Sequence, residues 1–329
     1  MNPQVHAFVE MLKATIPADA PRMWQLTPLE AREQGERFFA PFNAGGPQMA
    51  EVRNLRLPGP RGDVPARLYV PHGAEPASPG LLYFHGGGFV IGSLSTHDRL
   101  ARELAERLGA RVLSLEYALA PEHPYPQGLD DCVASARWLS AHAGDLEMHP
   151  GRLLVGGDSA GANLSAATML RLRDEGSPLP FKGAILIYGR FAAGSTESLR
   201  AWGDRELMLS RRQMRWFAEA YAGVGASGPY LAPLEADLRG LPPAILVVGT
   251  LDPLLSDSQL FASALQKAGV LAELHVYEDG IHAFLQIPAF EMTRDALDRI
   301  AAFGHRTLGF SKARSGEGDR PSRSALRNH

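Results

Sequence analysis

Residues 152–164 read RLLVGGDSAGANL and join a short apolar run to a stretch of small residues. This order predicts a buried β-strand, a sharp turn and then an α-helix. Ser159 lies at the turn, between Gly157 and Gly161, at the spacing G-x-S-x-G. Glycines at these positions let neighbouring backbone approach without Cβ clashes, and the turn raises the serine hydroxyl above the edge of a sheet. The segment therefore predicts a nucleophilic serine on a strand–turn–helix.

Two other kinds of glycine loop do not fit this segment. A phosphate-binding loop needs Lys and then Ser or Thr after its last glycine, where this chain has Ala162 and Asn163. A dinucleotide-binding fingerprint that begins at Gly156 needs glycine at position 158, which is Asp158. A nucleophilic serine and a purely structural glycine turn are the two interpretations that remain.

The rest of the chain alternates short apolar runs with helical patterns. Runs such as 185–187 and 245–248 are apolar throughout, which is typical of parallel strands covered by helices on both faces. The pattern predicts an α/β fold with a mainly parallel, eight-stranded sheet flanked by helices. Strands are predicted at 52–57, 66–70, 81–84, 111–116, 152–155, 184–188, 244–248 and 273–277. Helices are predicted near 2–16, 28–40, 97–108, 127–142, 160–174, 256–268 and 289–306.

The predicted domain organisation has N-terminal cap helices in residues 1–50 and a catalytic α/β domain in 51–310. The interval between the strands that end at 188 and begin at 244 is longer than a crossover needs, and it contains apolar residues enough for one or two helices. It predicts a cap insertion at about 190–228; an ordinary excursion on the flank of the sheet is the alternative. Residues 311–329 are polar, rich in Gly, Ser and Arg, and predict a disordered tail.

An apolar strand runs directly into three successive glycines in the segment His85-Gly86-Gly87-Gly88-Phe89. Three glycines cost conformational entropy on folding unless special backbone geometry is needed, so a merely flexible turn is the weaker interpretation. Glycine loops of this kind can leave backbone N–H groups pointing into a cleft, where they stabilise a developing oxyanion. The segment therefore predicts an oxyanion hole.

A nucleophilic serine needs a base, and the base needs a carboxylate that orients it. Asp252 and His282 each follow a predicted strand, and with Ser159 they occur in the order Ser, Asp, His that this strand–turn–helix arrangement requires. Asp257 and Asp279 are rival carboxylates, for which capping or solvated roles are expected. The sequence predicts a catalytic triad of Ser159, Asp252 and His282.

Composition narrows the classes of partner. The 329 residues are 45% hydrophobic and 21% charged with a formal net charge of −3, which indicates a globular protein without a basic face for nucleic acid. Cys132 is the only cysteine, which favours a reducing compartment, and no apolar run reaches the roughly 18 residues of a membrane span. The N-terminus does not fit a signal peptide. We expect a cytoplasmic protein with no stable membrane insertion, and the absence of metal-ligand spacings predicts no metal.

The chain resembles the hormone-sensitive-lipase-like esterases, the bacterial family IV of lipolytic enzymes, over roughly residues 50–305. The motifs that carry the resemblance are HGGGF at 85–89, YALAPEHPYP at 117–126, GDSAG at 157–161, DPL at 252–254 and GIHAF at 280–284. The resemblance implies an α/β-hydrolase core, hydrolysis of short-chain carboxylic esters, no cofactor, and an oxyanion hole from Gly87, Gly88 and Ala160. It also implies that His85 and the 120–126 segment brace the glycine loop. Ala118 departs from the motif, in which Arg is common.

The function predicted from the sequence is a carboxylesterase for short to medium acyl esters, with a small-molecule ester as its partner and a homodimer as a possible assembly. An amidase on the same scaffold and a non-catalytic small-ligand receptor are the alternatives; plant gibberellin receptors of this fold lack the catalytic histidine, so His282 argues against a receptor here. The residues predicted to contact substrate are Phe38, Phe39, Tyr188, Leu207, Trp216 and Phe284.

Overall fold

The strands of the protein form one eight-stranded sheet in a computed structural model that describes residues 1–309 except 16, 18, 206, 224 and 225. The strands are β1 (Met49–Gly59), β2 (Gly62–Pro71), β3 (Ser78–Phe84), β4 (Arg111–Leu115), β5 (Met148–Asp158), β6 (Phe181–Ile187), β7 (Ala244–Gly249) and β8 (Ala272–Tyr277). Their order in the sheet is β1-β2-β4-β3-β5-β6-β7-β8. β2 pairs antiparallel with β1 and β4, and all other neighbours are parallel, which confirms the mainly parallel eight-stranded prediction.

Helices cover both faces of the sheet. They are α1 (Pro3–Thr15), α2 (Pro28–Asn43), α3 (Asp98–Leu108), α4 (Gln127–His142), α5 (Ala160–Asp174), α6 (Glu197–Trp202), α7 (Arg211–Tyr221), α8 (Leu255–Lys267) and α9 (Glu291–Leu308). One apolar layer contains α4, α5 and α8, and the other contains α1, α3 and α9. This double cover explains why β3, β4 and β7 are buried along their whole length and read as continuous apolar runs.

The end of β3 lies in direct contact with the turn between β5 and α5. A Cβ atom added to Gly157 would lie 2.4 Å from the carbonyl oxygen of Phe84, and one added to Gly161 only 1.9 Å from it. The two glycines are therefore required by this close approach, as the sequence predicted. The contact brings the three-glycine segment after β3 beside Ser159.

The N-terminal helices have different surroundings. Phe8 of α1 packs on the layer that contains α9, with its ring centroid 5.5 Å from that of Phe290. Helix α2 also packs on this layer through Phe38 and Phe42, and in addition it shares a third apolar cluster with α7 and with residues just after the three-glycine segment. Val90 and Ile91 from that segment, Ala31 from α2 and Phe217 from α7 are buried in this cluster.

The interval predicted as a cap insertion contains the short helix α6 and the longer helix α7. No helix in the described ranges is both long and apolar enough to cross a bilayer. The tail predicted at 311–329 lies outside the described residues.

Candidate active site

Ser159 has a backbone conformation that residues other than glycine rarely adopt. Its φ is 53° and its ψ is −115°, at the junction of β5 and α5. Such a conformation costs of order 1–3 kcal/mol and persists where the surroundings determine it. The N–H of Ser159 donates to the carbonyl of Ile187 on the neighbouring strand β6, at 2.8 Å, and this bond helps to hold the turn. The strained turn is the nucleophile elbow predicted from the G-x-S-x-G spacing.

Ser159, His282 and Asp252 form one chain of hydrogen bonds. His282 Nε2 lies 3.1 Å from Ser159 Oγ, and His282 Nδ1 lies 2.8 Å from Asp252 Oδ2. Asp252 is fully buried, and its second oxygen accepts from the N–H of Leu254 at 2.8 Å. With Nδ1–H donating to the carboxylate, Nε2 of a neutral imidazole is free to accept the serine proton. The three residues predicted as a triad are thus brought together in the geometry that serine nucleophiles use.

The loops after β7 and β8 are fixed to each other. A Cβ atom on Gly249 would lie 2.0 Å from the carbonyl oxygen of Gly280, so the two backbones touch. The N–H of Leu251 donates to that same carbonyl at 2.9 Å. Because each loop carries one member of the pair, this contact sets the distance between Asp252 and His282.

The rival carboxylates have other partners. Asp257 is fully buried and accepts the N–H groups of Phe191 and Ala192, both at 2.9 Å, where the chain leaves β6. Asp279 faces the amino-terminal nitrogen at 3.6 Å. Asp252 is the carboxylate that contacts His282 Nδ1.

Two of the three glycines after β3 combine a positive φ with a lack of space for a side chain. Gly87 has a φ of 118°, and a Cβ atom there would lie 2.1 Å from the carbonyl oxygen of Ile91. Gly88 has a φ of 59°, and its Cβ would lie 2.2 Å from the ring of Phe217. Among the described residues, no protein acceptor takes a hydrogen bond from the N–H of Gly87, Gly88 or Ala160. Unpaired N–H groups beside a serine nucleophile are what an oxyanion hole requires.

His85 and the 117–126 segment contact each other and the glycine loop. The His85 ring stacks on Tyr117 with centroids 4.4 Å apart, and the Tyr117 hydroxyl donates to the His85 carbonyl at 2.8 Å. The N–H of Ala120 donates to the carbonyl of Phe89 at 2.9 Å. Burial, with a smaller contribution from the nearby His97, lowers the pKa of His85 to about 3, so its imidazole is neutral. These contacts agree with the bracing role that the family resemblance implied.

Two of the residues predicted to contact substrate pack beside the catalytic histidine. Tyr188 and Phe284 are fully buried. The Tyr188 ring lies 4.9 Å from the His282 ring and 6.0 Å from Phe284. Contact of these two residues with substrate stays a prediction.

The other four predicted substrate contacts are partly buried aromatic or aliphatic side chains. Phe38 and Leu207 pack on the layer that contains Tyr188, and Phe39 contacts Phe38 edge to face at 4.9 Å between centroids. Trp216 lies 5.3 Å from Phe217 between ring centroids. Their contact with substrate stays a prediction.

Phe217 belongs to the predicted cap insertion, and the structure places it against Gly88. Met214, Phe217 and Tyr221 recur at helical spacing and define the inward face of α7. Tyr221 on that face stacks on Phe89, with ring centroids 3.9 Å apart. Phe217 is therefore the aromatic side chain of α7 that covers the glycine loop.

Comparison with known proteins agrees with this site. Residues 81–286 match a family model of the α/β-hydrolase fold. The carboxylic ester hydrolase LipN of Mycobacterium tuberculosis is 39% identical over 252 residues, which are 74% of this chain and 66% of that protein, just under two thirds of its length. An acetyl esterase of Salmonella schwarzengrund is 36% identical over 82% of this chain and 83% of its own length.

Solved structures give the same result. A hyperthermophilic esterase from the archaeon Pyrobaculum calidifontis has a TM-score of 0.85 at 33% identity, over 93% of this chain and 98% of its own. The thermostable carboxylesterase EstE1, cloned from a metagenomic library, has a TM-score of 0.82 at 35% identity, over 86% of this chain and 98% of its own. The chain belongs to the α/β-hydrolase family, in its hormone-sensitive-lipase-like branch.

Proposed function

We propose that this protein hydrolyses carboxylic esters of short to medium acyl chains with Ser159 as nucleophile. The observation that carries the proposal is the hydrogen-bonded chain from Asp252 through His282 to Ser159, beside backbone N–H groups without protein acceptors. The names of the relatives, carboxylic ester hydrolase and acetyl esterase, support the same reaction.

In the acylation step, Ser159 Oγ attacks the ester carbonyl carbon while His282 Nε2 takes the hydroxyl proton. Asp252 accepts a hydrogen bond from Nδ1–H and stabilises the imidazolium that forms. The carbonyl oxygen becomes an oxyanion, which receives hydrogen bonds from the N–H groups of Gly87, Gly88 and Ala160. Preorganised donors of this kind act on charge that exists only in the transition state and the tetrahedral intermediate.

The intermediate then collapses. The carbon–oxygen bond to the alcohol breaks, and His282 gives its proton to the leaving oxygen, so that Ser159 retains the acyl group. A water molecule, deprotonated by His282, attacks the acyl carbon in the second half of the cycle. The acid is released, and the proton returns from His282 to Ser159 Oγ.

The proposal includes a small-molecule ester as partner and a cytoplasmic location. The free and buried Cys132 supports a location in a reducing compartment. A homodimer, the possible assembly predicted from the sequence, remains a prediction.

The test uses p-nitrophenyl esters from acetyl to palmitoyl and a matching series of p-nitroanilides. We expect the esters to be hydrolysed much faster than the anilides; faster anilide hydrolysis would indicate an amidase, and hydrolysis of neither series a binding protein. Ser159→Ala should lower kcat by a factor of about 10³ or more. Ser165→Ala is the matched control, because Ser165 is a buried serine of α5, the helix that follows Ser159, and donates to the carbonyl of Gly161 at 2.8 Å. Retention of more than about a tenth of the activity by Ser159→Ala would exclude the nucleophile assignment.

A further inference from the structure

Asp158 is a buried carboxylate directly next to the nucleophile. It ends β5, immediately before Ser159, and its side chain lies beneath the segment that carries the predicted oxyanion donors. The mechanism above gives it no role. Burial of a charged carboxylate costs free energy unless its oxygens accept hydrogen bonds, so the hydrogen-bond partners of Asp158 show which parts of the chain it stabilises.

The partners of Asp158 come from three other parts of the chain. Its Oδ1 accepts the hydroxyl of Tyr83, on β3, at 2.7 Å, and the N–H of Gly86 at 2.9 Å. His97, at the start of α3, places Nε2 3.3 Å from the carboxylate and 3.3 Å from the nitrogen of Gly86, a longer contact than that of Gly86 with Asp158. The other ring nitrogen of His97 lies 2.9 Å from Thr96 Oγ1, and the amide nitrogen of Gln286 lies 2.8 Å from Nε2. Asp158 thus joins the nucleophile elbow to the glycine loop, and His97 extends this network to Gln286 in the loop after His282.

Gly86 is a glycine because of this carboxylate. A Cβ atom at position 86 would lie 2.4 Å from Asp158 Oδ2 and 3.0 Å from the Asp158 carbonyl oxygen. Its φ is not in the left-handed region, so the reason is space and not backbone conformation. The absence of a side chain lets the peptide N–H of Gly86 reach the carboxylate, and the next two N–H groups along the chain are those of Gly87 and Gly88.

The surroundings of Asp158 and Tyr83 determine the protonation state of each. Burial raises the pKa of Asp158, but the charge and hydrogen bond of His97 and the hydroxyl of Tyr83 outweigh burial, so the pKa lies below its ordinary value. Burial and the nearby Asp158 raise the pKa of Tyr83 well above its ordinary value, so the phenol keeps its proton. Asp158 is therefore ionised at neutral pH and accepts strong, charge-assisted hydrogen bonds.

We propose that Asp158 is a positioning residue for the oxyanion hole: by holding the N–H of Gly86, its carboxylate fixes the N–H groups of Gly87 and Gly88 where the oxyanion forms. This inference rests on the proposed esterase function. Removal of one oxyanion donor costs about 10²–10³ in kcat in serine hydrolases, so displacement of the loop should cost about 10–100-fold. The loss should fall on kcat and not on KM, because the donors act on charge that develops after binding.

The test compares Asp158→Ala and Asp158→Asn with the wild type in three measurements. Titration with a p-nitrophenyl phosphonate counts the active molecules, steady-state kinetics with p-nitrophenyl butyrate gives kcat and KM per active molecule, and a trifluoromethyl ketone that forms an oxyanion on Ser159 gives a Ki. For Asp158→Ala we expect kcat to fall about 10–100-fold, KM to stay within about twofold, and Ki to rise by the same factor as kcat falls. Asp158→Asn should be intermediate, because the amide oxygen can still accept from Gly86 but carries no full charge.

Asp257→Ala is the matched control, since Asp257 is an equally buried carboxylate that holds two backbone N–H groups of a different loop. It should lower stability and leave kcat per active molecule and Ki unchanged. The same behaviour in Asp158→Ala would show a merely structural role and overturn the inference.

Gly86→Ala keeps the inference testable if Asp158→Ala does not fold. Its Cβ must displace the loop from Asp158, so kcat should fall and Ki should rise together with KM unchanged. Unchanged kcat and Ki in Gly86→Ala would overturn the inference. A wild type that hydrolyses no ester would refute the proposed function itself, whereas an active wild type with unaffected variants at 86 and 158 would refute only the role of Asp158.

Discussion

Replacement of Arg32 by alanine should weaken both the fold and the catalytic site. Arg32 on α2 contacts the segment after the glycine loop: its Nε donates to the carbonyl of Val90 at 2.8 Å and its Nη2 to the carbonyl of Ala120 at 2.9 Å. The guanidinium also forms a two-point pair with Glu122, with N–O distances of 3.0 and 2.5 Å. One side chain thus ties α2 to two segments that surround the oxyanion donors.

The expected magnitude follows from these contacts. Hydrogen bonds to charged groups contribute about 1.5–3 kcal/mol each, and an exposed ion pair less than about 1 kcal/mol. The Arg32 side chain is 25% exposed, so water reaches the freed carbonyls and offsets part of the loss. We expect the free energy of unfolding to fall by roughly 2–4 kcal/mol. If about 1–1.4 kcal/mol of this appears as lost transition-state stabilisation, kcat/KM falls about 5–10-fold.

Urea unfolding and p-nitrophenyl butyrate kinetics measure the two effects. The control is Arg37→Ala on the same helix, because the Arg37 side chain is 71% exposed and its ion pair with Glu33 is 3.7 Å long. This variant should change stability by less than about 1 kcal/mol and leave kcat/KM unchanged. If Arg32→Ala behaved like Arg37→Ala in both measurements, the link between α2 and the glycine loop would be refuted.

Three further predictions follow from the site and its surroundings. His282→Asn should lower kcat nearly as much as loss of the serine does. Asp252→Asn should leave a small residual rate, about 10⁴-fold below wild type, because the imidazole takes the wrong tautomer. Stopped assays with excess p-nitrophenyl butyrate measure the rates of both variants. Rates across the p-nitrophenyl series should peak at acyl chains of about four to eight carbons and drop at sixteen, since each buried CH₂ adds about 0.8 kcal/mol of binding only until the pocket is full. Phe217→Ala should move the peak to longer chains. If the wild type hydrolysed the palmitoyl ester as fast as the butyroyl ester, the site would be an open groove. Burial, together with the nearby Glu36, raises the pKa of Glu116, so the stability that its protonated carboxyl contributes is lost as pH rises through the folded-state pKa. Glu116→Gln should therefore raise Tm at pH 8 by about 1–3 °C and raise it less near pH 4, as measured in thermal scans. An equal shift in Tm at both pH values would contradict the raised pKa of Glu116.

Much of the fold could be predicted because it rests on local patterns. The parallel strands in the middle of the sheet are covered on both faces, so nearly all of their residues are apolar and the runs stand out. Helices α4 and α5 occupy the predicted ranges. The elbow and the glycine loop were visible because close backbone approach excludes side chains, which leaves glycine in the sequence.

The missed features depend on contacts between distant parts of the chain. Asp158 and His97 are separated by 61 residues, and no spacing rule relates them. The position of Phe217 over Gly88 depends on how α7 packs on the sheet, which is a tertiary contact. The contact between the rings of Tyr188 and His282, with centroids 4.9 Å apart, likewise joins residues far apart in sequence.

Because Cys132 is buried, we expect it not to react with thiol reagents, which makes the protein suitable for labelling at an introduced cysteine. Cys132 is the only cysteine, and burial raises the pKa of its thiol well above the ordinary value, so the reactive thiolate is scarce. A thiol introduced by Arg215→Cys on α7, where the native side chain is 74% exposed, would be the one that a maleimide dye reaches. Fluorescence from a dye at that position would report during turnover whether α7 stays stacked on Phe89 through Tyr221 or moves away from it.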